Sequence, residues 1–172
     1  MTAKAQRDRP WIITGMHRSG TTFAAACLRA AGVDVGRDLL GPAAGNPRGL
    51  LENRAFVEFH KDLLRSGGWD ELGWSHVDAP IPTGEPARAA AQKLIAGNAR
   101  DGHWGWKDPR TTLFMEFWRA LLPDARFIFI YRSPWDSIDS LFRRGTDQLL
   151  RDDPLRAMDL WLLYTRRIAA FR

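Results

Sequence analysis

The sequence predicts an α/β fold in which helices cover a central, mainly parallel sheet, and three observations support that prediction. Residues 11–13 and 126–131 are apolar runs of strand length, and the second is continuous enough to indicate a strand buried on both faces of a sheet. Each run leads into a loop marked by glycine or proline, and each loop leads into a helix-forming segment. Strands that alternate with helices in this way are typical of parallel sheets.

Six segments have the composition or the hydrophobic spacing of helices. The clearest is 52–66, in which apolar residues recur at helical intervals before a double glycine. Gly32 is placed to end the first helix, and Pro134 and Pro154 are placed to open the last two. The predicted helices are 21–31, 52–66, 85–98, 111–122, 134–144 and 154–172.

Short extended pieces and irregular loops connect these helices. Residues 33–40 are predicted to be extended, and 104–110 are predicted to form a brief strand that leaves into a loop. Glycine and proline are frequent in 41–49 and in 69–86, so we expect loops there.

The composition is that of one globular domain, with 172 residues of which 45% are apolar and 26% charged. We expect a flexible polar tail at 1–9 and an α/β domain at 10–172. That domain is interpreted as incomplete at its carboxyl end, because the last predicted helix has no stop signal. The tail lacks the apolar core of a secretory signal, and no later run approaches the length of a membrane span. These features predict a soluble, cytoplasmic protein.

Charge and metal-ligating residues narrow the range of partners. The net charge of +5 suits anionic ligands, but the basic residues are scattered, so no nucleic-acid partner is predicted. A single cysteine, Cys27, excludes a disulfide framework and a cysteine-rich metal site, and we expect a buried structural thiol. The histidines lack ligand spacing, so no metal is predicted, and structural or solvated roles are expected for His60, His76 and His103.

The loop after the first apolar run has the features of an anion-binding turn. Gly15 and Gly20 allow the backbone to bend towards a ligand, and the positive end of the following helix dipole adds to its N–H groups. The spacing of the glycines matches the phosphate loop of nucleoside triphosphatases, but Thr21 stands where that motif requires lysine. The cation is instead Arg18, inside the loop. The alternative is a surface turn rich in small polar residues.

A second loop repeats this logic after the apolar run 126–131. An arginine, Arg132, follows the run, and Ser133 and Pro134 then open a helix on which Ser140 lies two turns later. Because ligands of open parallel sheets gather at the carboxyl ends of strands, the two loops could hold two phosphates of one ligand. The alternatives are a surface arginine at a helix start and an ordinary exposed serine.

Taken together, these motifs resemble those of sulfotransferases that use 3′-phosphoadenosine 5′-phosphosulfate (PAPS). The segment Gly-Met-His-Arg-Ser-Gly-Thr-Thr at 15–22 is similar to the family's 5′-phosphosulfate loop, and Arg132 with Ser140 is similar to its 3′-phosphate motif. Segments 45–49 and 106–110 resemble stretches of the bacterial branch. The resemblance implies a three-layer sandwich like that of P-loop nucleoside triphosphatases, with PAPS as the donor and no metal.

The resemblance also assigns roles to residues on the donor side. Arg18 would hold the 5′ side of the donor and stabilise charge on the bridging oxygen as the sulfonate leaves. Arg132 and Ser140 would bind the 3′-phosphate. The predicted donor-binding residues are His17, Arg18, Ser19, Gly20, Thr21, Thr22, Arg132 and Ser140.

Transfer also needs a general base near the acceptor hydroxyl. Glu52 is the preferred candidate, although a glutamate in a first helical turn is also favourable through the helix dipole alone. His17 is the competing base. Lys107 and Arg110 are expected to neutralise the sulfonate in flight, with Asp108 pairing with one of them.

Three function classes follow from these patterns. The leading hypothesis is a sulfotransferase that acts on a hydroxyl of a small molecule, carbohydrate or lipid. The alternatives are a nucleotide or small-molecule kinase on the same kind of sheet and a nucleotide-binding module without catalysis. If carboxyl-terminal elements are absent, uncovered apolar surface would favour a homo-oligomer.

Overall fold

The computed structural model describes residues 9–42, 46–47, 49–74, 81–144, 150 and 152–171. The described part of the chain contains strands, α-helices and one 3₁₀ helix. In chain order they are β1 (Trp11–Gly15), α1 (Thr21–Ala30), α2 (Arg54–Ser66), α3 (Glu85–Asn98), β2 (Gly105–Lys107), the 3₁₀ helix (Pro109–Phe114), α4 (Met115–Leu121), β3 (Arg126–Ile130), α5 (Pro134–Arg144) and α6 (Arg156–Ala170).

The three strands form a parallel sheet in the order β2-β1-β3. Ile12 of β1 lies opposite Trp106 of β2 and Phe127 of β3, so the central strand is paired along both edges. All three strands therefore end at the same edge of the sheet, which is where ligands of parallel α/β folds bind. This sheet, with helices around it, confirms the predicted α/β fold.

Successive side chains of β1 point to opposite faces of the sheet and belong to two separate parts of the core. Ile12 belongs to a large cluster that includes Phe56, Trp106 and Trp118, and the rings of Phe56 and Trp106 stack at 4.2 Å. Ile13 belongs to a smaller cluster with Ala25 of α1 and with residues 33 and 35. Because successive strand residues point to opposite faces, both faces of β1 are covered. The sheet is thus the middle layer of three.

Several element predictions are confirmed at or near their bounds. The helices predicted over 85–98 and 134–144 are α3 and α5, and the helix predicted over 21–31 is α1 with Ala31 as its C-cap. The brief strand predicted within 104–110 is β2.

The burial predicted for the strand at 126–131 is wrong. The residues of β3 are half-buried throughout rather than buried on both faces. Within the described residues β3 pairs only with β1 and so lies at the edge of the sheet. A continuous apolar run does not by itself distinguish a central strand from an edge strand.

The helix predicted over 52–66 begins later than expected. Asn53 is the N-cap, and its side-chain oxygen accepts a hydrogen bond from the Ala55 N–H at 3.1 Å. Asparagine is among the best capping residues because it satisfies an N–H group that lacks a partner in the helix. Glu52 therefore precedes the helix instead of lying in its first turn.

Three further segments differ from the prediction. Residues 33–40 form no strand, and only isolated bridges link Asp34 to Trp104 and Leu39 to Asn53. The helix predicted over 111–122 is the 3₁₀ helix followed by α4. The last helix begins at Arg156 rather than 154 and stops at Ala170.

The last helix ends because the next residue turns back onto the sheet. Phe171 is extended, with φ −72° and ψ 124°, and its ring packs against Phe127 and Phe129 of β3 at 4.8 and 5.6 Å. The prediction that the helix runs to the end of the sequence is therefore wrong.

The expectation of a buried thiol is also wrong, because Cys27 is exposed. The buried residues of α1 are Thr21 and Ala25. Cys27 lies two positions after Ala25, which places it on the opposite side of a helix with 3.6 residues per turn.

Candidate active site

The first loop connects the end of β1 to the start of α1. Gly15 has φ 154°, and a Cβ on it would lie 2.4 Å from the carbonyl oxygen of Ile130, so only glycine lets β3 pass this closely. Gly20, with φ 101°, is the N-cap of α1, and no side chain caps the helix. The first N–H groups of α1 therefore have no side-chain acceptor, and they lie beside the positive end of the helix dipole.

The hydroxyl groups of the first loop do not cap α1. The hydroxyl of Ser19 is buried and has no hydrogen-bond partner among the described residues. Thr22 donates to the carbonyl oxygen of Leu50 at 3.3 Å. Ser19 lines neither of the two spaces described below, whereas Thr22 lines both.

The second loop meets the first, as the sheet topology predicts. The guanidinium of Arg132 donates to the carbonyl oxygen of Arg18 at 3.0 Å, and Nε of Arg18 donates to the hydroxyl of Ser140 at 3.0 Å. Residues more than a hundred positions apart in the sequence are therefore in direct contact. The contact forms at the carboxyl edge of the sheet, where β1 and β3 end side by side.

Arg144 adds a third positive charge to this region. Burial lowers the pKa of the Arg18 guanidinium, and the charges of Arg144 and Arg132 lower it further. Arg144 lies at the end of α5, one helical turn beyond Ser140, and its Nε is buried without a hydrogen-bond partner in the described part of the chain. Like charges this close repel one another, so a bound anion would stabilise the arrangement.

A cleft of about 800 Å³ opens between the two loops and α1. We call it the large cleft. Its wall also includes the exposed ring of Phe23 on α1. Six of the predicted donor-binding residues line it, namely Arg18, Gly20, Thr21, Thr22, Arg132 and Ser140.

A smaller cavity of about 80 Å³ adjoins the large cleft. We call it the small cavity. Arg18, Thr21 and Thr22 line both spaces, so the two spaces lie side by side. The remaining charged or aromatic residues of the small cavity are His17, Glu52, Trp74, Lys107, Arg110 and Arg144. Every residue predicted to act in catalysis thus lines one or both spaces.

Glu52 and Lys107 form a buried ion pair in the small cavity. Nζ of Lys107 lies 2.6 Å from Oε1 of Glu52, and both side chains are at most 8% exposed. The nearest cation to the other oxygen, Oε2, is the guanidinium of Arg110 at 3.7 Å. Glu52 immediately precedes Asn53, the N-cap of α2, and Lys107 is the last residue of β2. The pair therefore joins the sheet edge to the segment that leads into α2.

Asp108 and His60 support Arg110 from below the cavity. One oxygen of Asp108 accepts from the backbone N–H and the guanidinium of Arg110, both at 2.9 Å. The other lies 2.8 Å from Nδ1 of His60. The indole N–H of Trp118 can only donate, and it donates to Nε2 of His60 at 2.9 Å. The proton of His60 is therefore on Nδ1, where it is donated to Asp108.

This pairing fixes the charges of Asp108 and Arg110. Burial alone raises the pKa of Asp108, but the Arg110 guanidinium and the hydrogen bond from His60 hold it below its ordinary value. Burial alone lowers the pKa of Arg110, but the carboxylates of Asp108 and Glu52 raise it above its ordinary value. Asp108 is therefore an anion and Arg110 a cation at neutral pH. The expectation that Asp108 pairs with a neighbouring cation is confirmed.

His17 occupies an aromatic corner of the small cavity. Its Nε2 lies 3.3 Å from the hydroxyl of Tyr164, and its ring meets that of Trp74 edge to face at 5.4 Å. Burial, together with the charge of Arg110, lowers the pKa of His17 from 6.5 to about 3. The ring is therefore neutral near pH 7, and it lines the small cavity but not the large cleft.

The remaining histidines differ in their surroundings. His60 is buried in the core with the structural role that was expected, and His103 is exposed. His76 lies outside the described residues, as do Gly45 and Arg48 of the segment at 45–49 and residues 1–8 of the predicted tail. Among the described residues, no group of three or more His, Cys, Asp and Glu side chains is placed to hold a metal ion.

Sequence reasoning missed four residues that the structure brings to the site: Phe23, Trp74, Arg144 and Tyr164. For Arg144 a signal was present, because it lies four positions after Ser140 on the same predicted helix and so on the same face. Trp74 and Tyr164 carry no local signal, since their positions depend on how a loop and the last helix pack. No helix in the described segments is both long and apolar enough to cross a membrane.

The parallel sheet and the arginine-lined cleft at its carboxyl edge define an α/β protein with a cationic ligand site. A family model described as the sulfotransferase family matches residues 10–172, nearly the whole chain. The chain therefore belongs to the sulfotransferase family, and the resemblance drawn from its loop motifs is confirmed. Membership supports transfer of a sulfonyl group by a transferase. The chain matches no curated protein.

Proposed function

We propose that the chain transfers a sulfonate group from PAPS to a hydroxyl group of a small molecule, carbohydrate or lipid. The observation that carries this proposal is the contact between the two loops, in which Arg18 bonds to Ser140 and Arg132 bonds to Arg18. A ligand with phosphate groups at both ends of a nucleoside would be held by two such loops at once. The large cleft, at about 800 Å³, is in the size range of cofactor sites.

The positions of most of the predicted donor-binding residues around the large cleft support the proposed donor-binding roles. The uncapped start of α1, with Ser19, Gly20, Thr21 and Thr22, would receive the 5′-phosphate. Arg132 and Ser140 would bind the 3′-phosphate, and the exposed ring of Phe23 would stack on the base. His17, which lines only the small cavity, is assigned to the reacting centre rather than to a phosphate.

The reaction would take place where the large cleft meets the small cavity. The acceptor oxygen bonds to sulfur while the bond from sulfur to the bridging oxygen breaks, and the electron pair of that bond stays on the 5′-phosphate. Glu52 would take the acceptor's proton through Oε2, because Lys107 already occupies Oε1. Arg18 and Lys107 would stabilise the charge on the bridging oxygen and the sulfonate. In-line displacement of this kind needs no metal.

Glu52 is preferred over His17 as the base on electrostatic grounds. With a pKa of about 3, His17 binds a proton only weakly, which makes it a poor acceptor at neutral pH. Glu52→Gln should therefore abolish turnover while leaving donor binding intact. Unchanged turnover in Glu52→Gln would reject this assignment.

Calorimetric titration with 3′-phosphoadenosine 5′-phosphate (PAP) tests the donor site directly. We expect micromolar binding, about 8 kcal/mol, and a loss of at least tenfold in Arg132→Ala. Arg143→Ala is the matched control, since Arg143 lies on α5, which follows Arg132, but is exposed and paired with Asp139. Its affinity for PAP should equal that of the wild type.

The same titration with ATP and magnesium separates the alternatives. A kinase would need a lysine at the position of Thr21, and Lys107 cannot replace it because Lys107 lies in the small cavity, paired with Glu52. Tight ATP binding without PAP binding would overturn the proposal in favour of a kinase. PAP binding without transfer to any hydroxyl in a broad acceptor panel would favour a non-catalytic module.

A further inference from the structure

The loop that closes the small cavity, residues 70–74, is held in one conformation from within. The carboxylate of Asp70 accepts hydrogen bonds from the backbone N–H of Leu72 at 2.9 Å and from that of Trp74 at 2.7 Å. A side chain that bonds to backbone groups two and four positions ahead stabilises a tight turn. The turn brings the indole of Trp74 to the cavity wall.

The same loop is also fixed from outside by two residues of the site. Nε of Arg110 donates to the carbonyl oxygen of Glu71 at 2.9 Å. The Tyr164 hydroxyl donates to the carbonyl oxygen of Gly73 at 3.3 Å. Gly73 has φ 72°, and a Cβ there would lie within 3 Å of Tyr164, so the loop fits tightly against the last helix. Arg110 and Tyr164 both belong to the surroundings of the small cavity, where Tyr164 also contacts His17. Their hydrogen bonds therefore fix the position of the loop relative to the reacting centre.

The indole N–H of Trp74 is left without a hydrogen bond by this arrangement. Trp74 is only 2% exposed, and its Nε1 is buried with no partner in the described part of the chain. The buried indoles of Trp106 and Trp118, by contrast, donate to Thr111 and His60. An unpaired buried donor costs about 1–3 kcal/mol, and on a residue that lines a cavity it favours a ligand atom that accepts the bond.

The surroundings of that N–H indicate what kind of atom it meets. Four cations, Arg18, Lys107, Arg110 and Arg144, line the small cavity together with one carboxylate, that of Glu52. This excess of positive charge favours an anionic group in the cavity. The cavity, at about 80 Å³, is a tenth of the volume of the large cleft and is too small for the nucleotide. A sulfonate has three oxygens that accept hydrogen bonds, and it would extend from the donor into this space.

We propose that the indole N–H of Trp74 donates a hydrogen bond to an oxygen of the sulfonate during its transfer. This inference rests on the proposed function. Because the loop is held before any ligand arrives, the donor is preorganised and needs no reorganisation as charge shifts between the sulfonate oxygens. A neutral donor also adds this stabilisation without further repulsion among the four cations.

A comparison of PAPS with PAP isolates the sulfonate, since the two nucleotides differ only in that group. The indole N–H resonance of Trp74, assigned in ¹⁵N-labelled wild-type protein, should shift on addition of PAPS and remain nearly unchanged with PAP. In Trp74→Phe, which removes the N–H but keeps an aromatic ring, affinity for PAPS should fall about tenfold while affinity for PAP stays within about twofold of wild type. Trp69→Phe is the control, because Trp69 is equally buried at the start of the same region but does not line the cavity.

The outcomes separate this inference from the function on which it rests. A wild type that binds neither nucleotide overturns both. If the wild type binds both nucleotides and Trp74→Phe weakens them equally, the role of Trp74 is structural and the inference fails. It also fails if PAPS leaves the indole resonance unchanged, and this measurement does not depend on how well the variant folds.

Discussion

Lowering the pH from 7 to 5 should reduce the free energy of unfolding by about 2 kcal/mol through His17 alone. The unfolded chain binds a proton on this histidine at its ordinary pKa of 6.5, whereas burial in the folded protein lowers that pKa to about 3. Between these two values the unfolded state holds a proton that the folded state lacks. Stability is therefore fully present above pH 6.5 and is lost as the pH falls towards 3.

The magnitude follows from the size of that pKa difference. Each pH unit well below 6.5 removes about 1.4 kcal/mol, because one proton is taken up on unfolding. The curve bends near 6.5, where the unfolded histidine is only partly protonated, so the loss between pH 7 and pH 5 is about 2 kcal/mol rather than the full slope. Asp108 does not contribute between pH 7 and pH 5. Because its pKa is lowered in the folded protein, its effect on stability begins only as the pH falls to the ordinary pKa of an aspartate.

Urea unfolding at pH 7 and pH 5 measures this loss when the wild type is compared with His17→Asn. The variant should lose about 2 kcal/mol less than the wild type between the two pH values, whatever its absolute stability. His103→Asn is the control, since His103 is exposed, and it should follow the wild type. His17→Phe provides a second neutral replacement. Equal losses in the wild type and both His17 variants would refute the buried, neutral state of this histidine.

Two other changes test the packing around the site. Gly15→Ala should lower the melting temperature by many degrees, because the new Cβ would lie 2.4 Å from a backbone oxygen of β3. Gly97→Ala is the comparison, since Gly97 lies on α3 with open space around it, and this change should stabilise the protein by about 0.5–1 kcal/mol. Equal melting temperatures for the two variants would contradict the close passage of β3. Lys107→Met should cost about 3–5 kcal/mol in urea unfolding because it leaves the buried carboxylate of Glu52 without its closest cation. The double variant Lys107→Met with Glu52→Gln should recover much of that loss, because it leaves neither residue of the pair charged. If Lys107→Met alone were as stable as the wild type, the ion pair would be solvated and the prediction would be wrong.

The meeting of the two loops could be predicted because its signals are local. Gly15, Arg18 and Arg132 each lie within a few residues of the end of a strand, and Ser140 follows Arg132 at a helical distance. Once the strands are parallel, their carboxyl ends share one edge, so residues that follow different strands come together. The hydrogen bond from Arg18 to Ser140 is a direct consequence of that topology.

The other side of the site could be predicted only in part. Glu52 and Lys107 were identified by resemblance, but their ion pair joins residues 55 positions apart and depends on how α2 packs against the sheet. The start of α2 had a local signal that was overlooked, since Asn53 is a better cap than the residues before it. Trp74 lies in a loop whose conformation depends on distant contacts with Arg110 and the last helix as well as on the local turn at Asp70.

The distribution of charge suggests how the two spaces would divide the substrates between them. Around the small cavity, Lys107 is neutralised by Glu52 and Arg110 by Asp108, both at less than 3 Å. The charged side chains described around the large cleft, those of Arg18, Arg29 and Arg132, are cationic, whereas the small cavity also contains the carboxylate of Glu52. The positive potential is therefore higher at the large cleft and falls towards Glu52. Phosphates would be drawn to the cleft, and a neutral hydroxyl would pay no electrostatic penalty on approaching the carboxylate from the other side.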